Sequence, residues 1–191
     1  MAGKQAKILS DENIEELISY ASATRYPERN VAISLLSAKA GLRAGEIAKL
    51  DWDMLLLPTG EIGPCIELRD HASKKGSARR IPIHPRLMQA LIGLRSNSLA
   101  DGSVIQSERG GRMHPVGIVN WFAKAYWALG FAGCSSHSGR RTFVTRAARA
   151  VSQAGGSLRD VQLLAGHRSI VTTERYIDGD SDAQRRLVAL I

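Results

Sequence analysis

The sequence is poor in cysteine and has no long apolar run, and each shortage excludes a class of protein. Its two cysteines, Cys65 and Cys134, lie far apart and form no Cys-x-x-Cys pair. Neither a zinc knuckle nor a dithiol redox motif is therefore indicated, and we expect free thiols in a reducing compartment. The longest apolar runs, 125–129 and 187–191, are far too short to span a bilayer.

A secretory signal is also lacking, because no apolar stretch follows Lys4 and Lys7. No internal repeat or low-complexity tract interrupts the 191 residues, which are enough for a domain with a buried core. We therefore expect a cytoplasmic protein, associated with the nucleoid if it binds DNA.

Positive charge is what the sequence has in excess. Lys and Arg number 26 against 18 Asp and Glu, which gives a net charge of +8 and a pI near 9.9. Such an excess favours a polyanionic partner, because cations that neutralise phosphates release condensed counterions. Many soluble proteins are equally basic without binding nucleic acid, so charge alone leaves DNA or RNA binding open.

Apolar periodicity predicts an α+β fold that is mainly α. Ser10 is a good N-cap for a first helix, and Pro27 can start a second helix that Gly41 ends. The further predicted helices cover 44–50, 85–94, 115–129, 136–150, 157–164, 170–177 and 182–191.

Between the third and fourth helices the pattern changes to short strands. The predicted strands are 53–57, 65–68 and 79–83. Lys74-Lys75-Gly76-Ser77 has the composition of a hairpin turn between the last two. We therefore expect a small antiparallel sheet near the first third of the chain.

Residues suited to phosphoryl transfer recur along the chain. Arginines can clamp phosphate oxygens, imidazoles and a lysine can handle protons, and a tyrosine can be a nucleophile. The candidates among these residue types are Arg43, Lys74, His137, Arg140, His167 and Tyr176. With this set the chemistry requires no metal ion or cofactor. Taken singly, each has an ordinary structural explanation, such as a core tyrosine or a solvated hairpin turn.

Four segments, in this order, resemble the boxes of the tyrosine recombinases, also called the phage integrase family. They are a first-arginine box at 40–50, a lysine hairpin at 73–83, a His-x-x-Arg box at 137–143, and a closing Gly-His box at 164–169 with Thr173 and Tyr176 at the usual spacing. Residues 8–12 resemble the start of such a catalytic domain. The resemblance therefore covers nearly the whole chain.

The resemblance implies a role for each matched residue. Tyr176 attacks the scissile phosphate, leaving a 3′-phosphotyrosyl link and a free 5′-hydroxyl. Arg43 and Arg140 hold the phosphate and stabilise the pentacoordinate transition state. His137 acts on the proton of the nucleophile as general base, and His167 hydrogen-bonds the phosphate.

Two more residues have implied roles. Lys74 protonates the departing 5′ oxygen, with Lys75 as its rival for that role. Glu46 matches an acidic position that supports the site by orienting a neighbour. The implied function is a site-specific DNA recombinase of the integrase or invertase type. The phosphotyrosine ester stores the energy of the cleaved bond, so rejoining needs no ATP, and the set of side chains requires no metal ion.

The chain departs from the family pattern in two places. Gly139 stands where the His-x-x-Arg box usually has leucine, and we expect looser packing there. Only residues 1–42 precede Arg43, so we expect 1–191 to form a single catalytic domain without the N-terminal clamp domain. Two other functions stay open: an inactive or weak integrase-like DNA-binding regulator, and a relaxing enzyme that resembles type IB topoisomerases.

The resemblance also implies partners. Double-stranded DNA is the expected substrate, and self-association into a tetrameric synapse is expected on that DNA. The predicted C-terminal helix 182–191 carries Leu187, Val188 and Ile191 on one side. This apolar side can contact a neighbouring protomer, or it can fold back onto the core of its own chain.

Overall fold

The computed structural model describes residues 5–73, 76–96, 102–176 and 188–189. The chain divides into two compact units, Met1–Phe143 and Val144–Ile191. The lysines of the predicted hairpin turn, Lys74 and Lys75, lie outside the described residues, as does most of the predicted helix 182–191. Among the described helices, none has both the length and the hydropathy that crossing a bilayer requires.

Helices account for most of the described secondary structure. They are α1 (Asp11–Ser22), α2 (Pro27–Ala40), α3 (Ala44–Ala48), α4 (Pro85–Ser96), α5 (Pro115–Ala128), α6 (Ser138–Ala150), α7 (Leu158–Ala165) and α8 (Ile170–Glu174). Two strands, β1 (Cys65–Leu68) and β2 (Arg79–Pro82), pair antiparallel with Cys65 opposite Pro82. The predicted fold, mainly α with a small antiparallel sheet, is confirmed.

Local signals set the ends of the first two helices. The Ser10 hydroxyl accepts a hydrogen bond from the backbone N–H of Asn13 (3.1 Å), and the Asn13 side chain accepts one from the backbone N–H of Ser10 (3.2 Å). This reciprocal pair satisfies two donors at the start of α1. Pro27 occupies the first turn of α2, and Gly41 ends that helix with a left-handed φ of 66°. Glycine adopts that conformation without strain.

The core of the first unit lies between these helices and α5. Leu36 of α2, Ile47 of α3 and Phe122 of α5 are fully buried. The Phe122 ring stacks on Tyr126 one turn later, with ring centroids 5.7 Å apart. Apolar packing therefore fixes the short α3, whose five residues would not form a stable helix alone.

The predicted strand at 53–57 is wrong. A 3-10 turn covers Trp52–Met54, and the backbone N–H groups of Leu55 and Leu56 both donate to the Trp52 carbonyl at 2.9 Å. Met54 and Leu55 are buried. A short apolar run that is buried in a turn has the same composition as one buried in a strand, so its sequence does not distinguish the two.

The expectation of loose packing at Gly139 is also wrong. A Cβ atom at this position would lie 3.0 Å from Ser37 Cβ and 3.2 Å from the Ala38 backbone nitrogen, and it would overlap Ser37 Oγ. The absence of a side chain therefore lets the first turn of α6 approach α2 closely. A leucine would not fit in the space that the structure leaves here.

Candidate active site

Arg43 and Glu46 are held together at the start of α3. The backbone N–H of Arg43 donates to Glu46 Oε2 (3.0 Å), and the guanidinium Nη1 donates to Oε1 (2.8 Å). The two residues are three apart in sequence, so one helical turn brings their side chains to the same face. Glu46 thus fixes both the backbone and the side chain of Arg43.

A second arginine, Arg79 of β2, binds the same carboxylate. Its Nη1 donates to Glu46 Oε1 (3.1 Å) and its Nη2 donates to Oε2 (2.9 Å). The side chains of Arg79 and Glu46 are 5% and 2% exposed, whereas that of Arg43 is 24% exposed. Arg43 is therefore the member of this cluster that faces solvent.

The cluster keeps Glu46 ionised although it is buried. Burial alone would raise the pKa of the carboxyl group. The hydrogen bonds and charge of Arg79, with those of Arg43, outweigh burial and lower the pKa to about 2. Opposite charges and N–H donors at this distance favour the charged form of a carboxyl group. The three side chains therefore form two cations around one permanent anion near neutral pH.

Arg79 lies inside the segment that resembles the lysine hairpin, and the sequence motifs assign it no role. A signal for its burial was nevertheless present. Side chains alternate between the two faces of a strand, and Arg79 shares its face with the buried Ile81. Arg80 lies on the other face, where its Nε pairs with Glu67 at 2.9 Å in an exposed ion pair. A buried arginine requires an anionic partner.

Arg43 lines a cleft of about 440 Å³ in the first unit. The polar residues around this cleft include Lys49, Ser73 and His137, and one wall is apolar, with Val116 and Val119 of α5. Lys49 Nζ also donates to the His71 carbonyl at 3.2 Å. Glu46 and Ser136 line the cleft as well, so Arg43 and Lys49 leave it with one net positive charge. This charge, together with the serine hydroxyls and the imidazole, is suited to bind a phosphate group.

Arg140 is anchored to the segment that leads into Arg43. It is 4% exposed, and its Nη1 donates to the Gly41 carbonyl at 2.6 Å. Gly41 also accommodates the ring of Phe143, since a Cβ atom there would lie 3.0 Å from Phe143 Cγ. The two arginines of the predicted site are therefore tied to the same turn.

His137 sits at the start of α6, in a turn held by serine hydroxyls. Its backbone N–H donates to Ser135 Oγ (3.3 Å), and the backbone N–H of Ser135 donates to Ser138 Oγ (3.0 Å). The His137 residue is exposed and lines the cleft. An exposed imidazole in this position can accept a proton from a group bound in the cleft.

The second unit holds His167 and Tyr176. Their rings stack with centroids 5.4 Å apart and an interplanar angle of 23°. His167 Nδ1 lies 3.0 Å from the buried hydroxyl of Thr173, and its backbone carbonyl accepts a hydrogen bond from Gln162 Nε2 at 2.9 Å. These contacts, together with the left-handed Gly166 that ends α7, fix the imidazole. Tyr176 is partly exposed, just past the end of α8.

The predicted site residues thus form two groups, one in each unit. Arg43, Glu46, His137 and Arg140 belong to the first unit, and His167 and Tyr176 to the second. Lys74 lies outside the described residues. The catalytic roles of six of these residues and the supporting role of Glu46 remain predictions.

Comparison with known proteins gives consistent matches. The model of the phage integrase family matches residues 7–182. Tyrosine recombinase XerC of Rhizobium meliloti is 30% identical over 158 residues, which cover 80% of this chain and 46% of that protein. The chain spans about half the length of this relative.

Solved structures show the same fold. The crystal structure of XerA recombinase superposes with a TM-score of 0.74 at 24% identity, covering 96% of this chain and 64% of that one. The Tn1549 transposon integrase in complex with transposon right end DNA gives a TM-score of 0.74 at 20% identity, covering 100% and 67%. With the family match over nearly all of its residues, this chain belongs to the phage integrase family.

Proposed function

We propose that this chain is the catalytic part of a site-specific DNA recombinase, which cleaves and rejoins DNA through a covalent link to Tyr176. The observation that carries the proposal is the cleft that Arg43 lines together with Lys49 and His137. The Arg43 guanidinium is held there by Glu46, which stays ionised near neutral pH. Membership of the phage integrase family supports the choice of DNA as substrate.

The proposed reaction is an in-line displacement at phosphorus. A bond forms between Tyr176 Oη and the scissile phosphorus, and the bond from phosphorus to the 5′ oxygen breaks. His137 takes the tyrosine proton, and Lys74 or its rival Lys75 gives a proton to the departing 5′ oxygen. Arg43 and Arg140 stabilise the charge on the non-bridging oxygens, and His167 donates a hydrogen bond to one of them.

Rejoining reverses these steps with another 5′-hydroxyl as nucleophile. The phosphotyrosine ester keeps the energy of the broken bond, so the proposed exchange proceeds without ATP. The side chains assigned above supply the proton transfers and the charge stabilisation, so the proposal includes no metal ion. The net charge of +8 supports binding to the phosphate backbone. So does the likeness in fold to an integrase whose structure contains transposon DNA. A chain with this activity would be found at the nucleoid.

The proposal includes self-association on DNA as a tetrameric synapse. Strand exchange joins ends from two duplexes, so it requires several active sites at one place. The C-terminal segment 182–191, rich in leucine, valine and isoleucine, is the proposed contact between protomers. Removing it should leave single-strand cleavage intact and abolish the exchange of strands, as measured by recombinant product on a gel.

A nicked suicide substrate tests the proposed function. Such a duplex loses its 5′-hydroxyl fragment after cleavage, so the covalent complex accumulates. We would use duplexes built on the inverted or direct repeats that flank the coding gene, and a pool of randomised duplexes beside them. The incubation contains EDTA and no ATP. The expected result is a protein–DNA adduct that survives denaturing electrophoresis.

Two tyrosine variants make the test specific. Tyr176→Phe should fold and bind DNA but form no adduct. Tyr26→Phe should form the adduct like wild type; the Tyr26 ring contacts the guanidinium groups of Arg25 and Arg29. Binding without any adduct would favour a DNA-binding regulator. Relaxation of supercoiled plasmid without a site requirement would favour a topoisomerase-like enzyme.

A further inference from the structure

We propose that Arg79 is a positioning residue that acts through Glu46 to hold Arg43 ready for phosphate. The inference rests on the proposed function, in which Arg43 binds the scissile phosphate. It adds a residue to the site that the family motifs did not assign. Three observations carry it: the geometry of the hydrogen bonds, the burial of each partner and the balance of charge.

The hydrogen bonds place Glu46 as a bridge between two arginines. Each carboxylate oxygen accepts one bond from Arg79 and one from Arg43, at distances between 2.8 and 3.1 Å. A carboxylate has about four acceptor sites, so this set fills them. The Arg79 guanidinium donates one hydrogen bond to each oxygen, and this bidentate contact fixes the plane of the carboxylate. That plane sets where the Arg43 guanidinium can lie.

The two arginines differ in burial, and this difference indicates different roles. The Arg79 side chain is 5% exposed and lies behind Glu46, whereas Arg43 lines the cleft. Arg79 is therefore placed to act on Arg43 and not to touch the DNA itself. Its backbone is also held, because Arg79 pairs with Leu68 in the sheet and the neighbouring Ala78 N–H donates to Asp70 Oδ1 at 3.0 Å.

The balance of charge gives Arg79 a second effect. A carboxylate 2.8 Å from the Arg43 guanidinium would, alone, cancel the attraction of Arg43 for a phosphate. With Arg79 present, the cluster contains two cations and one anion and keeps a net positive charge. Arg79 therefore offsets the charge of Glu46 and leaves that of Arg43 for the bound anion.

The test compares Arg79→Gln with a matched control on the same strand. Arg80→Gln removes the neighbouring arginine, whose partner is the exposed Glu67. Cleavage of the nicked substrate is followed in a single turnover at saturating protein, and the Kd for the same duplex is measured separately. Thermal unfolding checks that each variant is folded. Arg79→Lys and the double variant Glu46→Gln/Arg79→Gln complete the set.

We expect Arg79→Gln to slow cleavage at saturation by about 100-fold, the loss typical of a misplaced catalytic group. The Kd should change little, because many other phosphate contacts carry the affinity. The cleavage rate of Arg79→Lys should lie between those of wild type and Arg79→Gln, since lysine keeps the positive charge but cannot form the bidentate contact. The double variant should cleave about tenfold faster than Arg79→Gln, because it also removes the anion that cancels the charge of Arg43. Arg80→Gln should cleave like wild type.

The inference is overturned if folded Arg79→Gln cleaves within about twofold of wild type. The charge effect is overturned if the double variant is no faster than Arg79→Gln, since a role of Arg79 confined to holding the carboxylate predicts no recovery. Should Arg79→Gln fail to fold, a folded Arg79→Lys that cleaves at the wild-type rate has the same meaning. Wild-type protein that binds DNA and forms no adduct would instead overturn the proposed function, on which the inference depends.

Discussion

Replacing Glu46 with glutamine should weaken the fold near neutral pH and matter much less in acid. On folding, the pKa of the Glu46 carboxyl falls from its ordinary value of 4.5 to about 2, because the bonds to Arg79 and Arg43 outweigh burial. A shift of this size corresponds to about 3 kcal/mol of stability at neutral pH. Since the folded-state pKa is depressed, that contribution is complete above pH 4.5 and is lost as the pH falls towards 2.

The difference between wild type and Glu46→Gln isolates this one group. Other carboxyl groups titrate equally in both proteins and cancel. The variant should be less stable by about 3 kcal/mol at pH 6.5 and by about 1 kcal/mol at pH 3, so the gap narrows by about 2 kcal/mol. The assay is urea unfolding at several pH values between these limits, with the m-value checked for constancy.

Glu15→Gln is the matched control. Glu15 pairs with Arg86 on the surface, where the two side chains are 56% and 45% exposed. Exposed ion pairs contribute about 0.2 to 1 kcal/mol, so this variant should show a small effect and little change with pH. A cost of Glu46→Gln that stayed constant from pH 6.5 to pH 3 would refute the idea that the buried carboxyl is held ionised.

Three further variants test predictions of stability. Gly139→Ala should lower the free energy of unfolding by about 1 to 3 kcal/mol, because the added Cβ meets Ser37 of α2. Gly93→Ala in α4, where an added Cβ meets nothing within 4 Å, should raise the free energy of unfolding by about 0.5 to 1 kcal/mol. Urea unfolding of both glycine variants tests this contrast. Equal effects of the two substitutions would contradict it. Ser10→Ala should cost about 1 kcal/mol through the lost bond to the Asn13 N–H, measured in the same way, and no loss would show that the cap is unimportant.

Local signals in the sequence predicted the helix boundaries well. Ser10, Pro27 and Gly41 act within one or two turns of themselves, through a side-chain cap, a fixed φ and a left-handed φ. Such effects depend on a few neighbouring residues, so they can be predicted without the fold. The spacing between Gly166 and Tyr176 is also local, and the structure stacks Tyr176 on the His167 that follows this glycine.

Features that depend on distant residues were missed or predicted wrongly. Arg79 and Glu46 are 33 residues apart, and no local pattern says which carboxylate a buried arginine will meet. Gly139 was expected to loosen the packing. The close approach of α2 at this position is set by the tertiary fold, so the local sequence does not reveal it. The run at 53–57 was assigned to a strand because a short apolar run does not distinguish a strand from a turn.

The identity of the residue that links to DNA tests the central claim most directly. The adduct from the suicide substrate would be digested with trypsin and nuclease and analysed by mass spectrometry. Cleavage after Arg175 and Arg185 releases a peptide, 176–185, with a single tyrosine. We predict that this peptide carries the residual nucleotide phosphate on Tyr176. A nucleotide on any other peptide, or an adduct that persists in Tyr176→Phe, would contradict the account.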